Sequence, residues 1–150
     1  MISAFLVCVF LLLGQASEHT ELTPGTILQG PIRSGEVQVY SIRLITGTVG
    51  EFVVEQGGTD LLVRVTPPGG QPFEIDARES GPEPFIIKAE TSGIYHVEVQ
   101  MIQKRPQPAS YRIRLLSVHD AGPEDTLRIV AQRNAIQAKQ ADGQRSSDKL

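Results

Sequence analysis

Between Thr26 and Val118 the apolar side chains fall at every second position, in short runs closed off by glycine or proline. Alternation of this kind suits a strand with one face buried and one face wet, and it rules out helical packing over the same stretch. The inward phase reads Tyr40, Ile42 and Leu44 in GEVQVYSIRLI, Phe52 and Val54 in GEFVVEQ, and Leu61, Val63 and Val65 in DLLVRV. It continues through Phe73, Ile75 and Ala77, then Phe85, Ile87 and Ala89, then Tyr95, Val97, Val99 and Met101, and ends on Tyr111, Ile113 and Leu115. Ile27 and Leu28 add a run near the start. Turn residues separate the runs at Thr46-Gly47, Gly57-Gly58, Pro67 to Gly70, Gly81-Pro82 and Ser92-Gly93. The expected fold is all-β: an antiparallel β-sandwich of jelly-roll type with about seven or eight strands over residues 22–118, followed by a C-terminal α-helix.

The ends of the chain have a different texture. Residues 1–16, MISAFLVCVFLLLGQA, carry no charge and hold an unbroken apolar run from Phe5 to Leu13. That run is shorter than the roughly 20 residues a membrane helix needs, and small residues follow it. It reads as a secretory signal cleaved near Ala16, although the usual basic residue before the run is missing. The one cysteine of the sequence, Cys8, lies inside it. A mature chain would therefore carry no disulfide, no thiol nucleophile and no cysteine metal ligand. The expected location is secreted or periplasmic. A net charge of -3 with mixed signs offers no basic surface for nucleic acid or an anionic membrane.

After Val118 the sequence predicts a helix over residues 123–141. Pro123 suits the first turn, Glu124 and Asp125 favour its positive end, and Gly143 is placed as its stop, with residues 142–150 read as a disordered tail. At about 3.6 residues per turn, Leu127, Val130, Ala131 and Ala138 share one side, while Ile129 and Ile136 lie nearly opposite. One stripe can dock on the sandwich. The other is either offered to a protein partner, the role assigned to Ile129 and Ile136, or belongs to a frayed, partly exposed helix.

The polar residues give little chemistry. Asp60, between a glycine turn and an apolar run, reads as a carboxylate bonding the backbone N–H groups of its turn. Calcium would need six to eight oxygens, and Glu55, Glu74, Asp76 and Glu79 would have to be gathered by loops to supply them. His96 and Glu98 share the outward face of one strand, but zinc needs three or four ligands, so His19, His96 and His119 read as surface residues. No G-x-S-x-G, phosphate loop or isolated acid pair is present, so the sequence assigns no catalytic residue, no metal ligand and no cofactor, and the chain reads as a non-enzyme. Since every tyrosine and the phenylalanines of the strands fall on the inward phase, no aromatic platform remains to bind a sugar or collagen.

The segments GEVQVYSIRLITG, VVEQGGTDLLVRVTPPGGQP and GPEPFIIKAETSGIYHVEVQ, in that order, resemble the bacterial pre-peptidase C-terminal domain. The likeness is greatest to the version near the start of secreted bacterial proteins that continue into tetratricopeptide repeats, often with a caspase-like domain beyond. It runs from about Leu22 to Ala141 and implies a noncatalytic accessory β-sandwich. RIVAQRNAIQAKQA then resembles a link into such repeats; this chain stops where they would begin, so activities of later domains are not carried over. The expected function is an exported module for protein interaction or anchoring. The alternative is a module binding extracellular polymer, since some relatives of that family bind collagen.

Overall fold

A computed structural model describes residues 19–147, and the signal reading at residues 1–16 lies outside them. In chain order the elements are β1 (Thr20–Glu21), β2 (Ile27–Ile32), β3 (Val37–Leu44), β4 (Thr48–Glu55), β5 (Leu61–Thr66), β6 (Phe73–Ile75), β7 (Pro82–Lys88), β8 (Gly93–Met101), β9 (Ala109–Asp120) and α1 (Pro123–Ser147). One sheet has five strands in the order β1-β3-β8-β5-β6, and the other has four in the order β2-β9-β4-β7. Pairing is antiparallel throughout, apart from the two-residue strand β1, which lies parallel to β3. Between β1 and β9 the chain changes sheet at every connection except β5 to β6. This winding of one ribbon through two sheets is the jelly-roll arrangement read from the sequence.

The two inner faces meet in a core built from the alternating phase. Tyr40, Ile42, Leu44, Phe52, Val54, Leu61, Val63, Val65, Val97, Val99, Tyr111, Ile113 and Leu115 are all buried. Phe52 of β4 and Phe85 of β7 sit directly opposite each other and stack with ring centroids 4.9 Å apart. Gly50 makes room for them, because a Cβ there would approach the Phe52 ring to 2.9 Å. Tyr40 and Tyr111 reach across the core and share a hydroxyl hydrogen bond, while Tyr111 also donates to Gln38 Oε1 at 2.6 Å. The polar tips of two buried rings are thereby satisfied without water.

Phe73 corrects the aromatic reading. It is the Cα partner of buried Val65 and so faces the same side, yet it is 41% exposed. Ile75, on the same face of β6, is buried, so on that face the exposure belongs to the first residue of this three-residue edge strand alone. Ala77, beyond β6, is half-buried.

The helix begins as expected. The Asp125 carboxylate accepts the Gly122 N–H at 2.9 Å, closing one of the free donors of the first turn. It then runs past Asp142 and Gly143 to Ser147, beyond the stop and into the stretch read as tail. Gly143 has no left-handed φ and nothing within 4 Å of where its Cβ would be, so the residue weakens the last turns without ending them. No helix among the described residues is long and apolar enough to cross a membrane.

Candidate functional site

Helix α1 lies across the open side of the sandwich, where the free edges of β6 and β7 stand together. Three side chains on one face hold it. Arg128 bonds Glu51 on β4. Gln132 acts as a missing strand neighbour for β7: its Oε1 accepts the Ile86 N–H at 2.9 Å and its Nε2 donates to the Ile86 carbonyl at 3.2 Å. Lys139 bonds Asp76 just after β6 and lies 3.6 Å from Asp60 Oδ1. An edge strand with an unpaired backbone invites association with other strands, and a side-chain amide that occupies it blocks this. Ile86, on the outward phase of β7, is buried because the helix covers it.

These tethers decide which stripe docks, and the outcome reverses the sequence reading. Ile129 and Ile136 share the face of Gln132 and Lys139; both are half-buried, and Ile136 packs against the core. The stripe left in solvent is Leu127, 72% exposed, with Val130 at 48% and Ala131 and Ala138 also exposed. Hydrophobic spacing distinguished two stripes but could not rank them. The ranking comes from polar residues, since only one face of α1 carries partners for Glu51, the Ile86 backbone and Asp76.

Between α1 and the β6–β7 edges runs a groove of about 740 Å³. Phe73, Ile86, Ile129, Val130 and Ile136 supply its apolar lining, and Glu74, Lys88, Glu90 and Arg133 supply charges of both signs. Leu127 and Val130 extend the apolar surface outward from it along the helix.

The candidates read from sequence are scattered elsewhere. Asp60 does not tie its turn: the Leu61 N–H goes to Gln56 Oε1 at 2.9 Å, and the Thr59 N–H goes to the Gln56 carbonyl. Gln56 is buried, and its amide also reaches the Arg78 carbonyl and Glu83, whose carboxylate accepts the Ala77 and Arg78 N–H groups at 3.1 Å each. Burial pushes Glu83 above the ordinary carboxylate range against those hydrogen bonds. Asp60 faces Lys139 instead; burial pushes its pKa up, and the Lys139 charge opposes that. Of the four acids weighed for calcium, Asp76 approaches Asp60 through Lys139 and Glu79 lines a shallow hollow with it. Glu74 is paired with Arg64, and Glu55 with Arg112 and Arg114. His96 packs edge-on against His19 at 5.0 Å, and Glu98 lies 3.8 Å from Arg64.

A different set does converge. Glu51 of β4, His119 near the end of β9 and Asp125 in the first turn of α1 place one ligand-type atom each within 4.8 Å of one another. His119 Nε2 lies 3.2 Å from Asp125 Oδ2, and Ser117 Oγ bridges Glu51 Oε2 at 3.2 Å and His119 Nδ1 at 3.4 Å. The Arg128 hydrogen bond holds Glu51 below the usual carboxylate range, and the Gly122 N–H, with help from His119, does the same for Asp125. Sequence spacing could not reveal this trio, because three separate elements supply it. The only local hint was Ser117 and His119 alternating outward at the end of β9, six residues before Asp125.

No family model matches the chain, and no curated protein matches it. Among solved structures, the pre-peptidase C-terminal domain of a Bacillus anthracis collagenase is similar at 15% identity, over 68% of this chain and 95% of that one, with a TM-score of 0.49. It is a domain of the kind the sequence resembles. PliG from Aeromonas hydrophila, a periplasmic inhibitor of g-type lysozyme, is similar at 21% identity over 67% of this chain and 96% of that one, with a TM-score of 0.45. PliG from Salmonella Typhimurium is similar at 14% identity over 65% and 97%, also with a TM-score of 0.45.

Proposed function

We propose that the protein is an exported, noncatalytic β-sandwich module that engages a helix of another protein along the outward stripe of α1. The observation that carries this is the Leu127–Val130 stripe, with Leu127 at 72% exposure beside the groove. Leu127, Val130, Ala131 and Ala138 follow helical spacing, and the alanines let a second helix approach closely enough for its ridges to enter the grooves of α1. Leu127 and Val130 exposed side by side next to an apolar groove mark a candidate interaction site. Export rests on residues 1–16, and affiliation with the pre-peptidase C-terminal class rests on the ordered segments quoted above. A polymer-binding role has less support, since Phe73 alone among the described phenylalanines and tyrosines is strongly exposed and a single ring makes no platform.

The test uses the full chain as bait in the exported fraction of its source cells, beside Leu127→Asp/Val130→Asp. One protein retained stoichiometrically by the wild type, lost from the double variant and indifferent to added glycans or collagen is the expected result. Retention by the double variant, or displacement by soluble glycan or collagen, overturns the reading.

A further inference from the structure

We propose that Glu51, His119 and Asp125 form a site for a divalent transition metal of zinc type, which pins the first turn of α1 to the four-stranded sheet in competition with Arg128. The spacing of one pair suits it, and the ligand atoms of all three residues lie within 4.8 Å of one another. Two ligands each about 2.0–2.1 Å from one tetrahedral ion stand roughly 3.3 Å apart, and His119 Nε2 and Asp125 Oδ2 are separated by 3.2 Å. One imidazole and two carboxylates are a donor set that zinc and cobalt accept, with a fourth position for water.

The hydrogen-bond geometry points the same way. Ser117 has one hydroxyl proton and directs it to Glu51 Oε2. Its Oγ also lies 3.4 Å from His119 Nδ1, a contact that turns Nε2 of the same ring toward Asp125 Oδ2. That Asp125 oxygen already accepts the Gly122 N–H. An imidazole oriented through its other nitrogen, and a carboxylate held by a backbone donor, are the outer supports that metal ligands have.

The cage already draws a cation. The Arg128 guanidinium lies against Glu51 Oε1 and 3.4 Å from Asp125 Oδ1, and its side chain is 49% exposed. Metal and guanidinium compete for the same oxygens, so removing Arg128 should strengthen metal binding, whereas a purely structural ion-pair network would only weaken.

The experiment titrates cobalt chloride, then zinc chloride, into the chelator-treated full chain in a Cys8→Ser background. Visible absorption reports cobalt coordination, and thermal unfolding reports stabilisation. The expected result is one bound ion and a raised Tm. His119→Ala should lose more affinity than the about 10–100-fold of an outer-support change, Arg128→Ala should gain about tenfold, and His96→Ala should match the wild type. A spectrum of hydrated cobalt alone, or equal affinity in His119→Ala and the wild type, overturns the proposal. If Arg128→Ala does not fold, the ratio of wild type to His119→Ala decides.

Discussion

Replacing Gln132 by alanine removes both hydrogen bonds to the Ile86 backbone at once. Ile86 is buried under α1, so its N–H loses Gln132 Oε1 at a site only the groove connects to solvent. An unpaired buried backbone donor costs about 1–3 kcal/mol, and the carbonyl, with its second lone pair, adds less. Alanine recovers only a few tenths of a kcal/mol of helix propensity. The net loss of about 1–2 kcal/mol falls on the docking of α1, so the Ile86 amide should exchange about 5–30-fold faster. Amides of central strands such as β8 should keep wild-type rates. Gln132→Glu separates hydrogen bonding from shape: its carboxylate still accepts the Ile86 N–H but meets the Ile86 carbonyl as a second acceptor. Protection should therefore return only when acid protonates it into a donor–acceptor pair like the amide. Hydrogen exchange of Gln132→Ala indistinguishable from wild type at Ile86, with α1 still docked, would refute the reasoning.

Gly57→Ala forces a side chain onto a residue at φ +58°, with its Cβ 1.7 Å from the Ser110 carbonyl oxygen; urea unfolding should show a loss of about 3 kcal/mol or more. Leu127→Asp/Val130→Asp, on exposed positions, should change each site's stability by no more than about 0.5 kcal/mol while abolishing partner binding, which denaturation and pull-down read separately. Glu83 has a raised folded pKa, so its contribution is full below the unfolded value of about 4.3 and fades as pH rises through the folded value; the wild type should lose stability relative to Glu83→Gln over that interval. Glu51 and Asp125 are depressed, so theirs is full above the unfolded values of about 4.3 and 3.9 and is lost as pH falls through the folded ones, loosening α1 in acid.

The strands and their inward phase were legible because period-two alternation is a local property, and Tyr40, Leu61, Val97 and Ile113 obey it wherever both sheets are present. Phe73 misled the reading because the inward phase of β6 finds cover at Ile75 but not at the strand's first residue, and no local pattern carries that. Asp60 was given the turn that Gln56 holds: the glutamine reaches both the Leu61 N–H and the β6–β7 loop, and its second partner lies far along the chain. The helix was legible in its start and its two stripes. Its orientation was not, because Gln132 is an unremarkable polar residue until the β7 edge stands beside it. The Glu51–His119–Asp125 trio shares that character, being assembled by docking.

The orientation of α1 is the claim on which interface, latch and metal cage all rest. Methyl NMR of the full chain with a soluble paramagnetic agent measures it directly. The account predicts strong broadening of the Leu127 and Val130 methyls, with those of Ile86 shielded nearly as well as Val99 and those of Ile136 broadened less than Leu127. Broadening of Ile136 equal to that of Leu127, or the reverse ranking, would contradict it.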